Sequence, residues 1–264
     1  MRIASLQPSI TLTLEALGAL DSLCAHTKYC LEVQPELAER RLPVLADSWT
    51  TSTDELSAVA PDLVIASVPY RMESLAAILK AGFPLLALAP YTLADVVKDT
   101  RLIATQVHRS VAGEDLISAF ERTLETTREM SADKSTRPRV YCEEWGKPMI
   151  QSQPWIAELV SIAGGQVTGE PGKQTTADAV ASADPDVLVF AWCGAGDRVP
   201  LRRVIEQRGW QQLRAVREGR VFCIPDEYLN TPAIPSLSVG LRHLLHAIHP
   251  QDSERPARLI SLAN

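Results

Sequence analysis

Two kinds of hydrophobic pattern alternate along this chain. Short apolar runs rich in β-branched residues fall near 2–6, 22–27, 62–67 and 84–89, and again near 138–142, 187–192 and 220–224. Flanking Gly, Pro and Asp bound them, which reads as strands buried on both faces of a sheet. Between them lie segments of helical spacing, near 10–18, 53–60, 71–81 and 93–109, then 154–163, 176–182, 200–214 and 236–247. Such alternation predicts an α/β fold with open, mainly parallel sheets and helices on both faces. Ligands of such sheets sit outside the carboxyl ends of the strands.

An internal echo divides the chain. Residues 54–66 read DELSAVAPDLVIA and residues 178–190 read DAVASADPDVLVF. Each is a short helical pattern, a Pro-Asp pair and an apolar run. The proline disfavours helix in the residue before it, so each helix stops there and a strand follows. Each half also opens alike, with Arg2-Ile3 and Arg139-Val140. The expectation is two Rossmann-like α/β lobes, 1–112 and 137–264, joined by a linking helix over 113–136. In that joint, Leu116, Ile117, Phe120 and Leu124 recur at helical spacing among charged residues. About 20 such residues form a rod of about 30 Å. One stiff helix predicts a largely preformed cleft between the lobes.

Composition narrows the class. The 264 residues are 46% apolar with a formal charge of −6, and the basic residues are interleaved with acids. That argues against a nucleic-acid footprint. The longest apolar runs, Phe83 to Tyr91 and Val187 to Cys193, fall well short of the ~20 residues of a membrane span. Met1 leads directly into a strand-like Arg-Ile-Ala-Ser-Leu with no charged and apolar leader, so the chain as written reads as cytoplasmic. Five cysteines without CxxC spacing suit unpaired thiols in a reducing compartment.

Enzyme signatures fail one by one. Gly169-Glu-Pro-Gly-Lys-Gln174 resembles a phosphate loop, but Val167 occupies the first glycine position and Gln174 the Ser/Thr position. Gly194-Ala-Gly196 meets Val199 where a dinucleotide fingerprint needs its third glycine, and there is no GxSxG elbow. The five histidines offer no metalloprotease arrangement, and His243 and His246 read as structural. Glu143 and Glu144 are neighbours on a strand and point to opposite faces, so they are not a shared acid–base pair. The expectation is no catalytic residue, no metal and no cofactor. What stands out is aromatic placement. Trp49, Trp145, Trp155 and Trp192, with Tyr70, Tyr91 and Tyr228, fall in predicted loops or at element ends, whereas Trp210 reads as core. Large rigid aromatic side chains suit a broad, flat ligand.

Arg-Ile-Ala-Ser-Leu-Gln-Pro-Ser at 2–9, the Thr-x-x-Leu-x-Ala-Leu-Gly helix, the Lys28-Tyr29-Cys30 turn, the Trp49 loop and Leu56-x-x-Val-x-Pro-Asp-Leu-Val-Ile65 carry a family likeness. They resemble helical-backbone (class III) substrate-binding proteins of ABC importers for cobalamin, haem and iron-siderophores. Glu144-Trp145 with Pro148, Trp155-Ile-Ala-Glu158, Ala163-Gly164-Gly165, Cys193-Gly194, Tyr228-x-Asn230 and His249-Pro250 are similar to the cobalamin-binding branch. The likeness runs from about residue 2 to 250. Ile234-Pro235-Ser236 departs from the Gly-Pro-Arg usual at the last helix.

The resemblance implies a corrinoid held between Tyr29, Trp49, Tyr70, Arg71 and Tyr91 on one side and Trp145, Trp155, Trp192 and Tyr228 on the other. It implies a monomer that meets an importer membrane subunit through exposed acids such as Glu73 and Glu170, without nucleic acid. It also implies export to the periplasm or cell surface, by a signal ahead of this sequence. Two alternatives stay open. One is a haem or ferric-siderophore binder using Arg71 and Arg198. The other is a two-lobed metalloenzyme of related architecture, with Cys30 and Cys193 facing the cleft.

Overall fold

Each β-branched run enters a sheet because both its faces meet apolar side chains. In the computed structural model, which describes residues 1–132, 134 and 136–262, the chain separates into two compact units. The first comprises 1–119 with 232–235, the second 120–231 with 236–264. Unit 1 runs β1 (Ile3–Ser5), α1 (Pro8–Ala16), β2 (Leu23–Thr27), α2 (Lys28–Val33), β3 (Val44–Leu45), α3 (Thr53–Val59), β4 (Leu63–Ser67), α4 (Met72–Lys80), β5 (Leu85–Leu88) and α5 (Leu93–Gln106). Its sheet has the order β3-β2-β1-β4-β5 and every pairing is parallel. Ile3 and Ile65 pack into the cluster holding Ile10, Leu14 and Ile103; Ala4, Val64 and Ala66 pack into the one holding Leu56, Leu75 and Ile78.

The long helix α6 (Ser110–Ala132) follows, beginning three residues before the predicted Gly113. Unit 2 then runs β6 (Arg139–Gly146), β7 (Met149–Gln151), α7 (Pro154–Ile162), β8 (Gln166–Val167), α8 (Ala177–Ala183), β9 (Val187–Phe190), α9 (Leu201–Arg208), α10 (Arg214–Arg217), β10 (Val221–Cys223), α11 (Asp226–Leu229), α12 (Ile234–Ile248) and β11 (Ile260–Ser261). Its sheet is mixed, in the order β11-β10-β9-β6-β7 with β8 beside β6. The inner pairs are parallel; β7 and β11 are antiparallel partners at the two sides. Two mainly parallel α/β sheets with helices between their strands are the predicted fold class.

The sequence echo has a structural counterpart. Helix α3 ends in a left-handed Ala60 (φ 49°) and α8 in a left-handed Asp184 (φ 38°). The aspartate two residues on then ties down the start of the neighbouring strand. Asp62 Oδ2 accepts from the Arg2 N–H at 2.7 Å while its own N–H donates to Arg2 O at 2.8 Å. Asp186 does the same with Arg139, at the same two distances. The motif sets the β1–β4 register (Ile3 opposite Leu63) and the β6–β9 register (Val140 opposite Val187) in one way.

One predicted helix is shorter than its pattern. The segment 200–214 stops at Arg208, because Gly209 (φ 69°) supplies the left-handed residue that closes a helix. Trp210 lies beyond it, 1% exposed, with its indole N–H on Ala177 O at 3.1 Å. The short strands β3, β7, β8 and β11 and the helix α2 lie outside the predicted elements.

Candidate functional site

Parallel pairing places the carboxyl ends of the unit 1 strands along one edge, and three of the predicted site positions there, Trp49, Tyr70 and Arg71, lie on loops joined by hydrogen bonds. Ser48 Oγ donates to Leu6 O at 3.1 Å, Gln7 Nε2 to Pro69 O at 3.1 Å, and Ser74 Oγ to Trp49 O at 2.9 Å. The Asp47 carboxylate accepts from the Trp49 and Thr50 N–H groups, both at 3.0 Å, and fixes the turn carrying Trp49. Trp49 is 42% exposed, with the Arg71 guanidinium 5.0 Å from its ring. Tyr70 is half-buried against the cluster of Leu6 and Leu75. Tyr29 is half-buried at the start of α2 with the Lys28 ammonium 4.8 Å from its ring. Tyr91 is exposed, and its N–H is held by Asp95 in the cap of α5.

In unit 2 the corresponding edge carries the ends of β6, β9 and β10. Trp145 lies inside β6, because that strand continues to Gly146 by pairing with β7; Trp192 follows β9. Both line one open pocket of about 450 Å³, together with Lys147, Cys193, Gly194 and Ala195 and with Val204, Gln207 and Arg208 of α9. That is the lower part of the range for small-molecule pockets. Trp145 is 43% exposed, its N–H on Lys147 O at 3.0 Å. Trp192 is half-buried, its N–H on Glu143 Oε1 at 2.8 Å. Trp155 is 3% exposed and donates to Leu229 O at 2.9 Å. Tyr228 is half-buried, tilted against His243 at 5.1 Å, with the Arg258 guanidinium 5.6 Å from its ring. Arg198 is exposed, on the loop leading to α9, with Nε on Ala195 O.

Several further groups were not among the predicted site residues. Glu143 is wholly buried and accepts both guanidinium arms of Arg208 at 2.8 Å, the Trp192 N–H and the Tyr141 hydroxyl. Burial, then the Glu143 carboxylate, hold the Tyr141 phenol above its ordinary value. The signal was on α9: Arg208 stands four residues after Val204 and seven after Leu201, on the helix's apolar face. On the opposite side of β6, Glu144 accepts from Gln153 Nε2 at 2.6 Å. Asn230 Nδ2 bridges Ala191 O at 2.6 Å and Cys193 Sγ at 3.4 Å. Asp226 accepts the Gly194 and Gly196 N–H groups, each at 2.8 Å. Cys30 is wholly buried in the unit 1 core, its thiol 3.3 Å from Thr27 Oγ1. Among the described residues no group of three or more His, Cys, Asp or Glu is arranged to hold a metal ion. No described helix is long and apolar enough to cross a membrane.

Burial pushes the Glu144 carboxyl up to about 7, against the lowering effect of the Gln153 bond. A carboxyl raised above its free value favours the protonated folded form. Its contribution to stability is full below pH 4.5 and lost as the pH rises through 7. A displacement of that size is worth up to about 3 kcal/mol at ~1.4 kcal/mol per pH unit. Glu144→Gln therefore flattens the fall in stability between pH 5 and pH 8. Urea unfolding of both proteins at the two pH values checks this; parallel slopes would refute it.

Two mainly parallel sheets with helices between their strands define the two-unit α/β class. The sequence matches the family described as periplasmic binding protein over residues 3–228, and the chain belongs to that family. It is a substrate-binding protein of the kind that serves ABC importers. The fold is that of several solved structures. A periplasmic heme binding protein from Pseudomonas aeruginosa superposes with a TM-score of 0.85 at 19% identity, over 98% of this chain and 97% of that one. The apo periplasmic heme-binding protein RhuT from Roseiflexus sp. RS-1 gives 0.79 at 22%, over 94% and 99%. The periplasmic vitamin B12 binding protein BtuF of Vibrio cholerae gives 0.76 at 22%, over 96% and 98%. No curated protein matches the sequence significantly. The family and these structures are binding proteins.

Proposed function

We propose that this protein captures a corrinoid, a cobalamin-like metal chelate, and delivers it as a monomer to the membrane subunit of an ABC importer. Tyr29 at the start of α2 and the loops of unit 1 that carry Trp49, Tyr70, Arg71 and Tyr91 supply one set of contacts. Trp145, Trp155, Trp192 and Tyr228 of unit 2 supply the other. The observation that carries the reading is the pocket between Trp145 and Trp192, whose deepest cation is already spent. Both arms of Arg208 are taken by Glu143, so the pocket offers flat apolar surface and a neutralised floor. Near Cys193 of its lining stand the carboxyl groups of Glu144 and Asp226. A large neutral ligand edged with amides meets such a wall at lower cost than one edged with carboxylates, which leave charges unpaired on desolvation.

A second reading, haem, draws on the exposed Arg71 over Trp49 and on Lys147 at the pocket mouth, two cations able to meet propionates. Isothermal titration with cyanocobalamin, haemin and a ferric siderophore in parallel separates the two. The corrinoid reading expects one-to-one submicromolar binding to cyanocobalamin alone. Heat with haemin only transfers the assignment to haem. No heat with either removes flat tetrapyrroles from consideration.

A further inference from the structure

Within unit 2 a buried ion pair stands directly behind the pocket. The Glu143 side chain has no exposed surface and that of Arg208 only 10%. Glu143 accepts from three residues, Arg208, Trp192 and Tyr141, so its oxygens are fully used. Arg208 in turn lies 4.8 Å from the Trp210 ring, 5.7 Å from Phe190 and 5.9 Å from Trp192. Trp192 is held from the other side by Gly146. A Cβ built there would come within 2.4 Å of the indole ring, so the ring lies on the bare backbone of β6. The indole is thereby fixed by its N–H at one edge, by Gly146 against its face, and by a T-shaped contact with Phe190 at 6.3 Å.

A buried pair of this kind adds little net stability over apolar side chains of similar volume. What this one supplies is orientation, because the buried acceptor at Oε1 fixes the N–H edge of the Trp192 ring. Resting on the reading that the Trp145–Trp192 pocket receives the ligand, we propose that the Glu143–Arg208 pair is a positioning device. It sets the Trp192 ring as a rigid wall before the ligand arrives. Glu143 does not touch the ligand; it acts through Trp192. A preset wall saves the cost of immobilising a side chain on binding, and that saving appears mainly as slower dissociation.

The test replaces the pair by apolar residues, Glu143→Leu with Arg208→Met, in the full chain. Cyanocobalamin and haemin serve as probes, and near-UV circular dichroism follows the ring. The expected result is an unfolding midpoint near that of the wild type, at least tenfold weaker binding (~1.4 kcal/mol) through faster dissociation, and a diminished Trp192 band. That band is assigned by difference from Trp192→Phe. The circular dichroism reads ring order with no ligand present. Wild-type affinity and an unchanged band in a folded double variant would overturn the proposal. Should the double variant not fold, Trp192→Phe, which leaves Arg208 paired, takes its place. Its affinity loss is then expected to exceed that of Trp145→Phe, and equal losses overturn the proposal. Trp192→Ala separates the two levels. Unchanged binding in that variant removes the pocket reading itself, whereas weakened binding there beside a wild-type double variant removes only the positioning role.

Discussion

Trp155→Ala lowers folding stability by about 3–5 kcal/mol, the range for emptying a buried aromatic site. The ring is 3% exposed on the first turn of α7, whose neighbours Ile156, Leu159 and Val160 are also buried. Alanine removes that volume and also leaves the Leu229 carbonyl without its indole donor. An orphaned buried acceptor adds about 1–3 kcal/mol within that total. Trp155→Phe keeps most of the volume and loses only the donor, so it is expected to cost less than half as much. Urea unfolding followed by far-UV circular dichroism reads both. A loss under 1 kcal/mol for the alanine variant would mean the ring is not packed as described. The consequence for binding work is direct. Trp155 is an expected ligand contact whose polar atom is committed to Leu229, so weaker binding by Trp155→Ala must be compared with its unfolding. The substitutions at Trp145 and Trp192 are the cleaner probes, because those rings stand at the pocket surface.

How much of this was legible in the sequence depended on the range of the interaction. The Pro61-Asp62 and Pro185-Asp186 turns were legible because their physics is local: the proline stops the helix, and the apolar run after it has nowhere to go but a buried strand. That each aspartate grips the arginine opening the neighbouring strand of the sheet was present only as the unexplained match of Arg2-Ile3 with Arg139-Val140. Strands β3, β7, β8 and β11 were not legible, since two or three residues show no period. The position of Trp145 failed for the same reason. Whether β6 ends before or after it is decided by pairing with β7, not by the local run. The end of α9 was overrun because Trp210 and Leu213 continue the apolar spacing past Gly209, and both are buried, but outside the helix.

The candidate site divides in the same way. The loop positions of Trp49, Tyr70 and Tyr91 were readable from their places between elements, whereas the stacking of Arg71 on Trp49 was not. The partnership behind Trp192 was not readable, because Glu143 and Arg208 are separated by 65 residues. Glu144 looked like one half of an acidic doublet, and only its burial beside Gln153 distinguishes it from a solvated carboxylate. A charge on the apolar face of a helix, as at Arg208, is the one such signal that sequence periodicity exposes.

Glu143→Ala is the single substitution expected to damage unit 2 most within its sheet. It strands the Arg208 guanidinium at 10% exposure among three aromatic rings, and removes the acceptor of the Trp192 indole and the Tyr141 hydroxyl. Breaking a buried pair by deleting one partner costs about 3–5 kcal/mol, far more than an exposed pair such as Arg128–Glu125. The contrast with the double apolar replacement is the informative part. If the pair is held for orientation, then removing both charges is mild and removing one is severe, so the two singles and the double are strongly non-additive. Salt adds a second discriminator. Exposed pairs weaken over a Debye length of about 8 Å at 0.15 M ionic strength, whereas a pair buried behind Trp192 is screened little. Urea unfolding of wild type and Glu143→Ala at 0.05 M and 0.5 M salt is therefore expected to give the same difference twice. A difference that shrinks with salt would place Glu143 and Arg208 in contact with solvent, and with that the fixed wall behind the pocket would be lost.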